Sequence, residues 1–87
     1  MEWKDFNFRR RGGGYYPICY VSLPIGMLVL GERQKKNGAI ECYVASLQIM
    51  DEDIAETPLA IAEIDSLKQS AVKWCKDFFQ ENIDELE

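Results

Sequence analysis

The sequence predicts an α+β fold, in which a small, mainly antiparallel β-sheet of three to five strands carries one C-terminal amphipathic helix on one face. Two hairpin turns, at residues 23–26 and 36–39, separate runs that are rich in β-branched and aromatic residues. After them, residues 65–82 place apolar side chains on one stripe at helical spacing. Because the chain has 87 residues, we expect one domain with one core.

The helix is predicted to run from Asp65 to Asn82. Either Asp65 or Ser66 can cap its first turn, since a short side-chain oxygen accepts an otherwise unpaired N–H. Its apolar stripe comprises Leu67, Ala71, Trp74, Cys75 and Phe78, with Val72 and Phe79 at the margin. Such a stripe requires an apolar partner, so we expect it to pack on the sheet, with residues 83–87 as an acidic tail.

The first hairpin is predicted from a strand that begins at Ile18 and a return strand over residues 27–35. Between them, Leu23-Pro24-Ile25-Gly26 has proline second and glycine fourth, as in a type I turn. These strands and the helix make residues 15–82 the core of the domain.

The second hairpin is predicted from Asn37-Gly38, which is typical of a two-residue type I′ turn because that turn requires positive φ twice. The resulting register places Lys36 opposite Ala39. Farther from the turn, the predicted pairs are Arg33 with Cys42, Glu32 with Tyr43, Leu30 with Ala45, and Leu28 with Leu47. Residues 39–49 are apolar on both faces, so this strand is either central in the sheet or covered on its second face, by the N-terminal arm or by another molecule.

Residues 50–57 are predicted to form an acidic connection. Residues 59–64 then have two interpretations, a short strand or the start of a helix that continues to Asn82. Thr57 as cap and Pro58 at the first helical position favour the helix. We favour the strand, because a helix of about 25 residues is long for a domain of this size.

The first 14 residues are predicted to form a basic, glycine-rich arm. Within it, Trp3 to Arg9 is a candidate short strand with Phe6 and Phe8 on one face. The three glycines at 12–14 carry a large conformational entropy, which predicts a linker or a loop tip.

The charge is unevenly distributed along the chain, whose net charge is −5. Residues 1–38 carry seven Lys/Arg and three Asp/Glu, a net of +4, whereas residues 39–87 carry three and twelve, a net of −9. This asymmetry concerns partners rather than fold. No apolar run approaches the ~20 residues of a membrane span, and the N-terminus lacks the apolar core of a signal peptide, so a cytoplasmic location is predicted.

The residue inventory offers little for catalysis or metal binding. The chain has no histidine. Cys19, Cys42 and Cys75 lack metal-ligand spacing and lie among apolar residues, which predicts reduced, buried thiols. We therefore expect no enzyme, no metal and no cofactor.

Two groups of charged residues are candidates for partner binding. The first is acidic and is predicted to lie on one connection, where it either binds a basic groove or forms a solvated loop; it consists of Asp51, Glu52, Asp53 and Glu56. The second combines basic and aromatic side chains, as in sites that hold phosphates and stack bases; it consists of Arg9, Arg10, Arg11, Tyr15 and Tyr16. The alternative for the second group is a solvated basic tip that keeps an edge strand soluble.

The layout of residues 15–82, hairpins followed by the capped helix IDSLKQSAVKWCKDFF, resembles that of small phage and prophage accessory proteins, the anti-CRISPR inhibitors among them. This resemblance implies a non-enzymatic protein that blocks a host defence complex by occupying a surface, and it carries over no functional residue. A second similarity is to the HicB-type antitoxin layout, whose glycine-rich first hairpin is missing here.

The predicted function is that of a non-enzymatic protein-binding inhibitor or adaptor, whose partner is another protein or protein complex. The alternative is a small nucleic-acid-binding module that uses Arg9–Arg11 with Tyr15 and Tyr16. The absent catalytic inventory and the small size favour the first. The net charge of the second half, which repels phosphate, weighs against the alternative.

Overall fold

Five strands and one helix make up the protein, whose structure is a computed structural model that describes residues 2–5, 15–24, 26–50 and 52–86, with side chains up to residue 80. The elements are β1 (Trp3–Asp5), β2 (Tyr16–Leu23), β3 (Gly26–Gln34), β4 (Ile40–Ile49), β5 (Glu52–Leu59) and α1 (Ile64–Leu86). The strands form one antiparallel sheet in the order β1-β2-β3-β4-β5. The predicted α+β class, with one helix on one face of the sheet, is confirmed.

The β3–β4 hairpin confirms the predicted register but not the predicted turn. Gly38 has a φ of 87°, whereas Asn37 does not have positive φ, so the turn is not type I′. The N–H of Gly38 donates to the carbonyl of Lys35 (2.9 Å) and the N–H of Lys35 to that of Ala39 (2.8 Å), which is a three-residue loop ending in a left-handed glycine.

The longer loop shifts the pairs nearest the turn by one residue. Lys36 therefore does not lie opposite Ala39, and that prediction is wrong. An irregularity between Arg33 and Gln34 restores the register, because β4 contributes one extra residue there. Beyond it the four predicted pairs, from Arg33–Cys42 to Leu28–Leu47, are all present.

The acidic connection predicted over residues 50–57 is a strand instead. Met50, with a φ of 54°, turns the chain, and β5 pairs with β4 from Ile49–Glu52 to Tyr43–Leu59. Both interpretations of residues 59–64 are wrong, since the strand ends at Leu59 and the helix begins at Ile64. Acidic residues are depleted in strands, but pairing along β4 and burial of every second side chain from Ala55 to Leu59 override that preference.

Helix α1 begins one residue before the predicted start and ends at Leu86 instead of Asn82. The carbonyl of Glu63 accepts the first intrahelical hydrogen bond, from the N–H of Leu67 (3.0 Å). Glu63 is therefore at the N-cap position, and Asp65 and Ser66 lie within the first turn. An acidic side chain there favours the helix through its dipole, which replaces the predicted capping role.

The main core lies between α1 and one face of the sheet, called here the helix face. Leu67, Ala71 and Cys75 are buried along the helix. They belong to clusters that include Cys19, Val21, Leu28, Leu30, Ala45 and Leu47 of the sheet. Trp74, Phe78 and Phe79 are only partly buried at the edge of this core.

The opposite face of the sheet, called the second face, carries a smaller core made of Tyr15, Val29 and Val44. Tyr15 is 2% exposed, and its hydroxyl accepts a hydrogen bond from Nε2 of Gln48 (3.1 Å). This packing explains why β4 is apolar on both faces, because Val44 is covered at the second face while Ala45 and Leu47 lie beneath the helix.

Candidate partner-binding surface

Strand β5 places the predicted acidic residues on an edge of the sheet. Glu52, Asp53 and Glu56 are exposed along it, and Asp51 lies outside the described residues. The register puts Asp53 beside Gln48 and Glu56 beside Ser46, so both carboxylates project from the second face. Glu52, Asp53 and Glu56 are therefore held by a paired strand, and Glu52, opposite Ile49, projects from the helix face.

Two of these carboxylates also contact the sheet. Asp53 Oδ1 accepts a hydrogen bond from the hydroxyl of Ser46 (3.2 Å), which satisfies a fully buried side chain. Glu56 Oε1 lies 3.4 Å from the guanidinium of Arg33, in an ion pair whose side chains are 43% and 36% exposed. An exposed ion pair of this kind contributes only about 0–1 kcal/mol to the free energy of unfolding. A partner can therefore replace either Arg33 or Glu56 in this pair at little cost.

The same part of the chain carries the exposed apolar side chains. Among the described residues, the large apolar side chains with high exposure are Met50 (89%), Ile54 (47%), Ile61 (65%) and Ile64 (42%). All four lie in residues 50–64, which are β5, its two flanking connections and the first residue of α1. We call this segment, with its acidic residues, the β5 surface.

Met50 and Ile54 are exposed for identifiable structural reasons. Met50 occupies the left-handed region, which disfavours residues with a Cβ, at the turn before β5. Ile54 is the extra residue where the β4–β5 register shifts. Neither residue was predicted to be part of a binding surface, because the acidic composition of residues 50–57 predicts a connection. The sequence does contain a signal for their exposure, because both are single apolar residues within an otherwise acidic stretch.

The outer side of β5 has backbone groups that no strand of the described sheet pairs with. Pro58 lies within this strand, where a missing N–H is tolerated only if it faces away from the ladder. Proline and acidic side chains at an edge also discourage association with other exposed edges. A partner of opposite charge would find this edge open over residues 52–57.

The basic and aromatic candidates of the N-terminal part are not all exposed. Tyr15 packs in the second-face core, so its ring is covered. Tyr16 is partly buried beside Arg33, Lys35 and Lys36 in a groove of about 630 Å³ at the β3–β4 hairpin. The predicted Arg9, Arg10 and Arg11 lie outside the described residues.

A second groove, of about 680 Å³, lies between β1 and the flank of α1. Its lining combines one aromatic ring with several lysines and comprises Trp3, Asp65, Lys68, Gln69, Val72, Lys73 and Lys76. Nζ of Lys68 is 5.9 Å from the centroid of the Trp3 ring, at the limit of a cation–π contact. No local sequence pattern predicts this groove, since Trp3 and the helix residues that line it are far apart in the chain.

The two buried thiols, Cys19 and Cys75, show no sign of nucleophilic activation, and Cys42, predicted to be buried, is only partly buried. Burial raises the pKa of Cys75 and is also the largest cause of the raised pKa of Cys19, where Lys68 opposes it and Asp5 adds to it. A raised pKa keeps a thiol protonated and unreactive. Within the described residues, no cluster of three or more His, Cys, Asp or Glu could hold a metal ion.

The chain matches no protein-family model, no curated protein and no solved structure. In the part that the structure describes, no helix is long and apolar enough to cross a membrane.

Proposed function

We propose that this protein is a non-enzymatic inhibitor or adaptor that binds another protein through the β5 surface. One observation carries the proposal: two of the four highly exposed large apolar side chains of the described residues, Met50 and Ile54, lie next to or within the acidic edge strand β5. Buried apolar anchors surrounded by a charged rim are the usual composition of a protein–protein interface.

The chemistry of the β5 surface defines the partner. Met50 and Ile54 would enter an apolar pocket, and Glu52, Asp53 and Glu56 would meet basic side chains around it. A basic groove that normally binds nucleic acid fits this description. The layout resemblance to anti-CRISPR inhibitors makes the nucleic-acid channel of a host defence complex the partner that we propose.

The test is affinity capture from a lysate of the source cells, with the whole chain as bait and mass spectrometry as readout. Three baits are compared: the wild type, the pair Glu52→Lys and Glu56→Lys, and the control pair Glu41→Lys and Asp77→Lys. The control changes exposed acids away from β5 and alters the net charge equally. We expect one stoichiometric complex that the β5 pair weakens at least tenfold and the control pair leaves intact.

The Met50→Gly variant separates binding from folding. Glycine adopts a φ of 54° without strain, so this variant should be at least as stable as the wild type in urea denaturation. Its capture of the partner should nevertheless fall, because the variant lacks an exposed anchor. Equal loss of capture with both charge pairs, or undiminished capture with every β5 variant, would refute the assignment of the β5 surface. A chain recovered alone that turns over a small molecule would refute the proposed function itself.

A further inference from the structure

The groove between β1 and α1, called here the lysine groove, concentrates positive charge in an acidic chain. Residues 39–87 contain three basic residues, Lys68, Lys73 and Lys76, and all three line this groove. Among the side chains that the structure describes, no carboxylate forms an ion pair with these lysines; Asp65 lines the groove without pairing with them. The lysine groove therefore has a local positive field despite the net charge of −5.

The three lysines span a broad flank of α1. At about 100° per residue, Lys68 and Lys73 are about 140° apart around the helix, with Lys76 between them. At 1.5 Å per residue, Lys68 and Lys76 are about 12 Å apart along the axis. Val72 lies between them on the same flank. The lysines thus form a short basic track beside an apolar floor.

Trp3 supplies a flat aromatic surface at one side of this track. Its indole is partly buried against the core and partly exposed to the groove. The contact with Lys68 is at the outer limit of a cation–π interaction, so a second flat group can displace the ammonium at small cost.

We infer that the lysine groove binds a nucleotide unit, with the base against Trp3 and Val72 and the phosphate on Lys73 and Lys76. The pattern of aromatic platform and basic track is the one by which proteins hold single-stranded nucleic acid with little sequence preference. The unit can come from a free nucleotide or from a single strand, which share this chemistry. The groove lies at the β1 edge of the sheet, and strand β5, with Glu52, Asp53 and Glu56, lies at the opposite edge. The inference therefore does not depend on the proposed protein partner.

The test measures the fluorescence anisotropy of a labelled 12-nucleotide single strand, oligo-dT or oligo-U, with the purified whole chain at low salt. Lys73→Glu with Lys76→Glu is compared with the control pair Lys35→Glu and Lys36→Glu, which changes the net charge equally at the β3–β4 hairpin. We expect the groove pair to weaken binding at least tenfold and the hairpin pair to weaken it less than threefold. The loss of each lysine–phosphate contact should also reduce the magnitude of the slope of log binding constant against log salt concentration by about 0.7.

A second measurement reports on Trp3 directly. In a Trp74→Phe background Trp3 is the sole tryptophan, because the chain has two. Stacking of a base should quench its fluorescence at saturating oligonucleotide. Saturable quenching by a nucleoside monophosphate alone assigns the free nucleotide as ligand, and quenching only by the strand assigns the polymer.

Several outcomes would overturn the inference. They are absence of binding at low salt, equal loss with both lysine pairs, a loss confined to the hairpin pair, and equal competition by poly-glutamate. The last would show a general polyanion site without recognition of the base.

Discussion

At the scale of single residues, Gly31 allows Tyr15 to pack on the second face of the sheet. A Cβ at Gly31 would lie 2.5 Å from Cδ2 of Tyr15 and 2.9 Å from the carbonyl oxygen of Tyr16. The ring can therefore lie flat on β3 only where the strand has no side chain. From there it covers Val29 and Val44 and brings its hydroxyl to Gln48.

Gly31→Ala should destabilise the protein by about 1–3 kcal/mol, because the added methyl group would overlap with the buried ring of Tyr15 and with the carbonyl oxygen of Tyr16. Urea denaturation would measure the loss. Ser22→Ala, at an exposed position of the neighbouring strand β2, serves as control and should change the stability by less than about 0.5 kcal/mol. An unaltered midpoint for Gly31→Ala would contradict the position of Tyr15.

At the scale of elements, α1 packs on the sheet along one stripe of the side chains that the structure describes, residues 64–80. Among these, Leu67, Ala71 and Cys75 are buried, whereas the aromatic residues Trp74, Phe78 and Phe79 are only partly covered. Trp74 and Phe78 contact each other at 6.1 Å between ring centroids, and Phe78 meets Phe79 edge-on at 5.8 Å. This aromatic group closes the core at the margin of the sheet.

Trp74→Ala should cost about 2 kcal/mol, below the ~3–5 kcal/mol of a fully buried aromatic residue, because part of the indole remains exposed and alanine favours the helix. Thermal or urea denaturation followed by far-UV circular dichroism would measure it. Ala71→Gly, at a fully buried position of the same helix, gives a comparison in which backbone entropy is the main cost. A loss near zero for Trp74→Ala would mean that the aromatic group does not pack on the sheet.

At the scale of the whole molecule, the described residues place an acidic group and a basic groove at opposite edges of the sheet. The β5 edge carries exposed acids, while the β1 edge, with the flank of α1, carries the lysine groove. The lysines of the groove belong to the half of the sequence whose net charge is −9. Such a dipolar surface orients approaching charged partners as they diffuse toward the protein.

The stability of the whole fold should fall above about pH 9. Burial raises the pKa of Cys19 and Cys75 above the value of 9.0 for a free thiol. The unfolded chain therefore releases these protons at lower pH than the folded chain, so rising pH favours unfolding through this window, and the contribution is constant below it. Denaturation midpoints at pH 7 and 10, under reducing conditions, would measure the fall.

The double variant Cys19→Ala and Cys75→Ala provides the comparison for this pH dependence. It should be less stable than the wild type at neutral pH, because two buried sulfur atoms are removed, but its stability should fall less between pH 7 and 10. The same decrease in both proteins would show that the thiols do not contribute.

Local patterns in the sequence determined the helix, the two hairpins and the register of β3 with β4. The helical stripe of Leu67, Ala71 and Cys75 can be recognised in the sequence, because packing on one face imposes a period of about 3.6 residues on the apolar positions. The register followed from Asn37-Gly38, since a turn fixes which residues lie opposite one another for the length of the hairpin. The predicted pairing was wrong by one residue next to the turn, and an irregularity in the hairpin restores the predicted register beyond it. The register is restored because the apolar pairs Leu28–Leu47 and Leu30–Ala45 must stay beneath the helix.

Only the tertiary structure determined the conformation of residues 50–64 and which residues make up the two candidate surfaces. Local preference assigns an acidic stretch to a loop, but the unpaired edge of β4 supplies hydrogen bonds and burial that outweigh that preference. Tyr15 belongs to a core for a similar reason. Its ring packs against β3 where Gly31, which is distant in the chain, has no side chain. The lysine groove joins Trp3 to residues 65–76, and contacts between segments so far apart leave no local period in the sequence.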